Sequence, residues 1–119
     1  MTASRILKEK GADVFTVRPG DTLVEAAGAL TRRQVGAAIV VDDAGAAVGV
    51  FSERDLTRAV AEQGAAALAA PVSGVMSTDL VCAAPGAAVD ELMGLMTQRR
   101  VRHILILDAG VPAGVASIG

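Results

Sequence analysis

The sequence predicts a mixed α/β (α+β) fold: two copies of a β-α-β-β-α unit, the second copy lacking its last helix. Three observations carry this. The first is an internal repeat, the feature to seek before any other. Pro19-Gly20 recurs as Pro85-Gly86, and at the same spacing Glu25 matches Glu91, Gly28 matches Gly94, Thr31 matches Thr97, Arg33 matches Arg99, Val35 matches Val101 and Asp42 matches Asp108. With one residue deleted, Ala44-Gly45 falls on Ala109-Gly110, Gly49-Val50 on Gly114-Val115 and Ser52 on Ser117. The second observation is that the runs Ala-Ala-Ile-Val-Val and Ile-Leu-Ile-Leu are apolar on both faces, as in sheets covered by helices. The third is a helical apolar face that occurs once in each copy.

Taken in order, residues 3–10 read as an N-terminal helix. A short strand from Val14 to Val17 runs into the Pro19-Gly20 turn. The helix after it opens with Thr22 and Glu25 in a capping-box pattern, and Leu23, Ala26, Ala27 and Leu30 form its apolar face. Strands follow at Ala37 to Val41 and Ala47 to Phe51, around the turn Asp42-Asp43-Ala44-Gly45, so that both Phe fall in strands of this copy. A helix from Glu53 to Gln63 closes the unit. Ala65 to Ala70 with Pro71 reads as a helical connector, and Val72 to Ser77 as a short helix entering the second copy. That copy has a strand from Leu80 to Ala83 and a helix with the face Val89, Leu92, Met93 and Met96. Strands from His103 to Leu107 and Val111 to Ala116 then flank Asp108-Ala109-Gly110. The expected organisation is an N-terminal helix at 1–13, the first unit at 14–64, a connector at 65–78 and the second unit at 79–119.

Composition narrows the function. The 119 residues are 52% apolar, enough for a core, but include two Phe and no Trp or Tyr. A net charge of -2 gives no general reason to bind nucleic acid or an anionic membrane. No run of 18 apolar residues suggests a membrane span, and the N-terminus lacks the apolar block of a signal peptide. The expectation is a cytoplasmic protein. Cys82 cannot form an intrachain disulfide, and its apolar surroundings predict an inert core thiol. With one His and one Cys, the chain offers no metal-ligand cluster and no convincing nucleophile-base pair. A non-catalytic protein with no required cofactor is expected.

The chemistry-bearing residues fall at two places. Ser52 and Asp55 stand three apart at the start of a helix. As a capping box they satisfy the orphan N–H groups there, which alone would account for them. The same geometry lets a first-turn carboxylate accept two hydrogen bonds from a ribose diol. Beside them, Arg54 is either a phosphate ligand at the positive end of a helix or a solvated surface residue. Arg99-Arg100-Val101-Arg102-His103 is the chain's dense basic cluster, between the second copy's helix and its strand. Arg pairs bidentately with phosphate. The plainer alternatives are a dipole-complementing helix end for Arg99 and Arg100 and a backbone-bonded imidazole for His103.

The ordered set of motifs resembles a pair of cystathionine-β-synthase (CBS) domains, or Bateman module, of the small stand-alone bacterial type. The motifs are "TVRPGDTLVEA", "RRQVGAAIVVDDAG" and "GVFSERDL" in the first copy. In the second they are "MSTDLV", "APGAAVDELMGLM", "RRVRHILILDAG" and "GVASIG". The resemblance implies two units about a pseudo-twofold axis with two clefts for adenosine-containing ligands: AMP, ADP, ATP, NAD(H) or S-adenosylmethionine. It also implies a sensing rather than catalytic role, exercised through a homodimer, with an effector protein as a further partner. It assigns the ribose to Asp55 with Ser52 assisting, and ligand phosphates to Arg102 and His103. Adenine would lie against Thr16, Val17, Ala37, Ala38 and Ile39 in one cleft, and against Val81, Cys82 and Ile104 in the other. All of these apolar positions serve equally as core. Ile39 and Leu105 stand where the family pattern often has Pro. The second copy keeps Ser117 but has no acidic residue three positions on, so the first-copy site is expected to be the better one. Its missing helix is expected to leave an apolar sheet face that favours association. A ligand-independent dimerisation or docking scaffold is the alternative function. Nucleic-acid binding through Arg99 to His103 is a weaker third, given the acidic chain without stacking aromatics.

Overall fold

The computed structural model describes Thr2 and residues 15–117, with only the backbone of Ser117. The helix expected at 3–10 lies outside the described residues. The chain forms two compact units, one being Thr16–Asp79 and the other containing Leu80 onward.

In the first unit, β1 (Thr16–Val17), β2 (Ala37–Val41) and β3 (Ala47–Ser52) form a sheet in the order β1-β2-β3. β1 pairs in parallel with β2, Thr16 opposite Ile39 and Val17 opposite Val40. β2 and β3 are antiparallel, with Ala37 opposite Ser52 and Ile39 opposite Val50. The doubly apolar run of β2 is buried as its composition requires: Ala38, Ile39 and Val40 are each at most 1% exposed. α1 (Leu23–Arg33) opens on a complete capping box. Thr22 Oγ1 accepts from the Glu25 N–H at 3.2 Å, and Glu25 Oε1 accepts from the Thr22 N–H at 3.0 Å. The helix ends where Gln34 turns left-handed (φ 56) and its N–H donates to the carbonyls of Leu30 and Thr31. Leu23, Ala26 and Leu30 are its buried face.

The connector is helical at both places expected, as short 3-10 helices, Gly64–Ala69 and Val72–Gly74. Pro71 lacks an N–H and holds Ala70 extended (φ -74, ψ 151), so no longer helix can pass through. The segment instead packs back on its own unit. Ala67 and Val72 are fully buried, Leu23 N–H donates to Ala70 O at 2.9 Å, and Val72 N–H donates to Asp21 O at 2.8 Å. Ser77 then exchanges two 2.9 Å backbone bonds with Val50, covering the outer edge of β3. This approach requires glycine at position 49, where a Cβ would stand 2.6 Å from Met76 Sδ and 3.0 Å from the Ser77 carbonyl.

The second unit repeats the sheet. β4 (Cys82–Ala83), β5 (His103–Asp108) and β6 (Val111–Ser117) lie in the order β4-β5-β6, parallel then antiparallel. Its core is Val81, Leu92, Met96, Ile104, Ile106 and Ala116. α3 (Val89–Arg99) packs through Leu92, Leu95 and Met96, whereas Met93 is 54% exposed. The apolar face expected through Met93 is thus turned one residue position toward Leu95. Two further expectations are corrected. Cys82 is exposed rather than a core thiol, because it lies on a two-residue outer strand. Phe15 precedes β1, so only Phe51 lies in a strand.

Candidate functional site

β3 ends at Ser52 in extended geometry (φ -129, ψ 165), and the chain turns at once into α2 (Glu53–Gln63). The Glu53 N–H donates to the Gly36 carbonyl at 3.0 Å, tying the start of α2 to the entry of β2. Asp55 is the third residue of the helix. Its Oδ2 accepts from the Ser52 backbone N–H at 2.8 Å and from the Ser52 hydroxyl at 3.0 Å. The Asp55 N–H in turn donates to Ser52 Oγ at 3.4 Å. The reciprocal cap read from the sequence is therefore formed. Ser52 is 6% and Asp55 7% exposed, and these two are the buried polar residues among those described. A carboxylate in the first turn is also favoured by the helix dipole.

Asp55 has a further partner that the sequence reading missed. Arg58, one turn later, donates from Nη2 to Asp55 Oδ1 at 2.7 Å, with 60% of its own side chain exposed. The three-residue spacing of an acid and a base within one helix was the available signal.

The sheet register gathers several expected residues at one end of this unit. Thr16 begins β1, Ala37 begins β2 opposite Ser52, and Arg54 stands beside Asp55. Thr16 and Arg54 are exposed, and Ala37 is half-buried. Val17, Ala38 and Ile39 are buried, so in this form of the chain they offer packing rather than surface. In the second unit His103 begins β5 opposite Ser117, the place that Ala37 holds in β2, and Cys82 holds the place of Thr16. Arg102 is exposed, His103 half-buried and Ile104 fully buried. Arg100 ends α3 in the left-handed conformation (φ 56), and Arg99 and Arg100 are both exposed at that end. The Ser117 side chain lies outside the description. Thr16, Ala37, Ser52, Arg54 and Asp55 thus gather in one unit, with Arg102 and His103 at the corresponding end of the other.

A groove of about 460 Å³ runs between α1 and α2, lined by Ala27, Leu30 and Thr31 on one side and Glu53, Leu56 and Thr57 on the other. It contains none of the expected ligand-binding residues. No group of three or more metal-ligating side chains occurs among the described residues, and no helix there is long and apolar enough to cross a membrane.

A protein-family model described as "CBS domain" matches the chain twice, at residues 4–62 and 72–119. The CBS domain-containing protein YhcV of Bacillus subtilis is 35% identical over 106 residues, covering 89% of this chain and 74% of that protein. The crystal structure of a CBS-domain containing protein from Agrobacterium tumefaciens is 42% identical with a TM-score of 0.89, covering 99% of this chain and 93% of the other. A CBS domain protein from Pyrobaculum aerophilum, complexed with AMP, has a TM-score of 0.83 at 23% identity, covering 98% and 87%. At that identity the likeness is one of fold.

Proposed function

The chain belongs to the CBS domain family, and from that premise we propose that it is a regulatory, non-catalytic module that binds an adenosine-containing ligand at Ser52 and Asp55. The observation that carries this is the Asp55 carboxylate itself, nearly buried, ionisable, and fixed at the start of α2 beside a hydroxyl. Ionised carboxylates accept hydrogen bonds only, which matches a vicinal diol. AMP, ADP, ATP, NAD(H) and S-adenosylmethionine all present that diol on an adenosine, and the AMP-bound structure from Pyrobaculum shares the fold. Arg54, exposed in the first turn of α2, is a cation available to a phosphate, and the helix dipole acts in the same sense. Arg102 and His103 supply the corresponding charge in the second unit. Thr16 and Ala37 retain the accessible surface against which adenine would rest, with Val17, Ala38, Ile39 and Ile104 behind.

The module would act as a cytoplasmic homodimer. Val24 on α1, Val35 just after it and Val60 on α2 are 54%, 41% and 39% exposed, apolar side chains that a second copy could cover. A sensor needs a ligand that binds one state better than the other, and an effector protein would read the change. One observation favours the second reading, a ligand-independent scaffold. Both oxygens of Asp55 already have partners, so capping alone accounts for its burial.

Titration calorimetry separates the two. AMP, ADP, ATP, NADH and S-adenosylmethionine would each be titrated into the chain and into Asp55→Asn, which retains an acceptor for the cap. Heat from one ligand that vanishes in the variant is expected. Silence from all five would leave the scaffold.

A further inference from the structure

We propose that Arg58 is a built-in competitor for the ribose, holding Asp55 in the ligand-free chain and giving way when the diol arrives. This rests on the adenosine reading above. A carboxylate offers about four acceptor sites. Three are taken here: the Ser52 N–H and hydroxyl both reach Oδ2, and the Arg58 guanidinium reaches Oδ1. A vicinal diol donates two hydrogen bonds, so one present donor must leave. The three differ in how readily they can. The Ser52 N–H is buried and would be orphaned, a loss that folded proteins seldom tolerate. The Ser52 hydroxyl is buried as well and donates to Oδ2, so its proton would be orphaned in the same way. Arg58 is 60% exposed and can return to water with little loss, since ion pairs at exposed cations are weak. Its departure would also uncover a carboxylate whose side chain is only 10% exposed. Arg58 is thus a positioning residue that sets the affinity of the site.

The test titrates adenosine and 2′-deoxyadenosine into the full chain and into Arg58→Ala, by amide chemical-shift perturbation. Both nucleosides are uncharged, which isolates the diol from phosphate electrostatics. Arg58→Ala is expected to bind adenosine about two- to fivefold more tightly than the parent chain. No gain is expected for 2′-deoxyadenosine, which cannot offer the paired hydroxyls. Equal or weaker adenosine binding by Arg58→Ala would overturn the proposal, and so would the same gain for both nucleosides. If the parent chain binds adenosine and the variant does not, Arg58 is a ligand contact rather than a competitor. If neither protein binds adenosine, the adenosine reading fails and takes this one with it.

Discussion

The two units share a sheet topology and a helix packed by its apolar face, yet their polar details differ sharply. In Thr16–Asp79 both helices begin with complete capping boxes, at Thr22 with Glu25 and at Ser52 with Asp55. The turn between β2 and β3 is held by Asp42 Oδ1, which accepts from Ala44 N–H at 2.9 Å and Ala46 N–H at 3.0 Å. In the second unit, α3 has Ala88 at its N-cap and no side-chain cap. The turn between β5 and β6 places Ala109, which has a Cβ, in the left-handed region (φ 51). The contrast teaches that the apolar pattern specifies the unit, while the polar finishing is local and separable. That finishing is richest at Ser52 and Asp55, the pair at which the proposed ligand would bind.

The largest effect on stability should come from Asp55→Ala. It removes the acceptor of a buried N–H and dismantles the cap, so a loss of about 1–3 kcal/mol is expected in urea unfolding. A change within about 0.5 kcal/mol would mean that the cap is not what starts α2. The comparison can be sharpened from the other side. Ala88 matches Thr22 in the repeat, and Glu91 already stands where Glu25 does. Ala88→Thr should therefore complete a capping box and stabilise the chain by about 1 kcal/mol. Ala109→Asn should relieve the left-handed turn and add about 0.5 kcal/mol, because Asn tolerates that conformation better than Ala. The smallest effect concerns pH. The backbone N–H and the hydroxyl of Thr22 hold the Glu25 carboxyl below its ordinary 4.5. The cap's contribution is thus present above the unfolded value and is lost as pH falls through the lower folded value. Glu25→Gln keeps an acceptor but does not titrate, so the acid-side slope of the unfolding midpoint should flatten; an unchanged slope would assign it to other carboxylates.

How much of this was readable in the sequence follows from which forces act locally. The span Glu53 to Gln63 was expected and found, because the Ser52–Asp55 cap marks its start and Gly64 its end. β2 was read to its exact ends, since a doubly buried strand leaves an unbroken apolar run. Among the described residues, β1 and β4 are shorter than expected because two residues of each find a parallel partner, and pairing is a tertiary matter. Cys82 and Met93 were placed inside on apolar neighbours alone, although which residue of such a run faces out depends on the packed partner. At the site, the Ser52–Asp55 bond was legible because capping is local. Arg58 carries a weaker mark, a three-residue spacing that brings it to Asp55 only once the helix has formed.

The most direct test of the central claim is the amide spectrum of the isotope-labelled chain, recorded while AMP is added. The account predicts that the Ser52, Arg54 and Asp55 signals move together and saturate, and that they stay still in Asp55→Asn while its fold is retained. No shifts at all, or shifts that leave those three signals fixed, would contradict it.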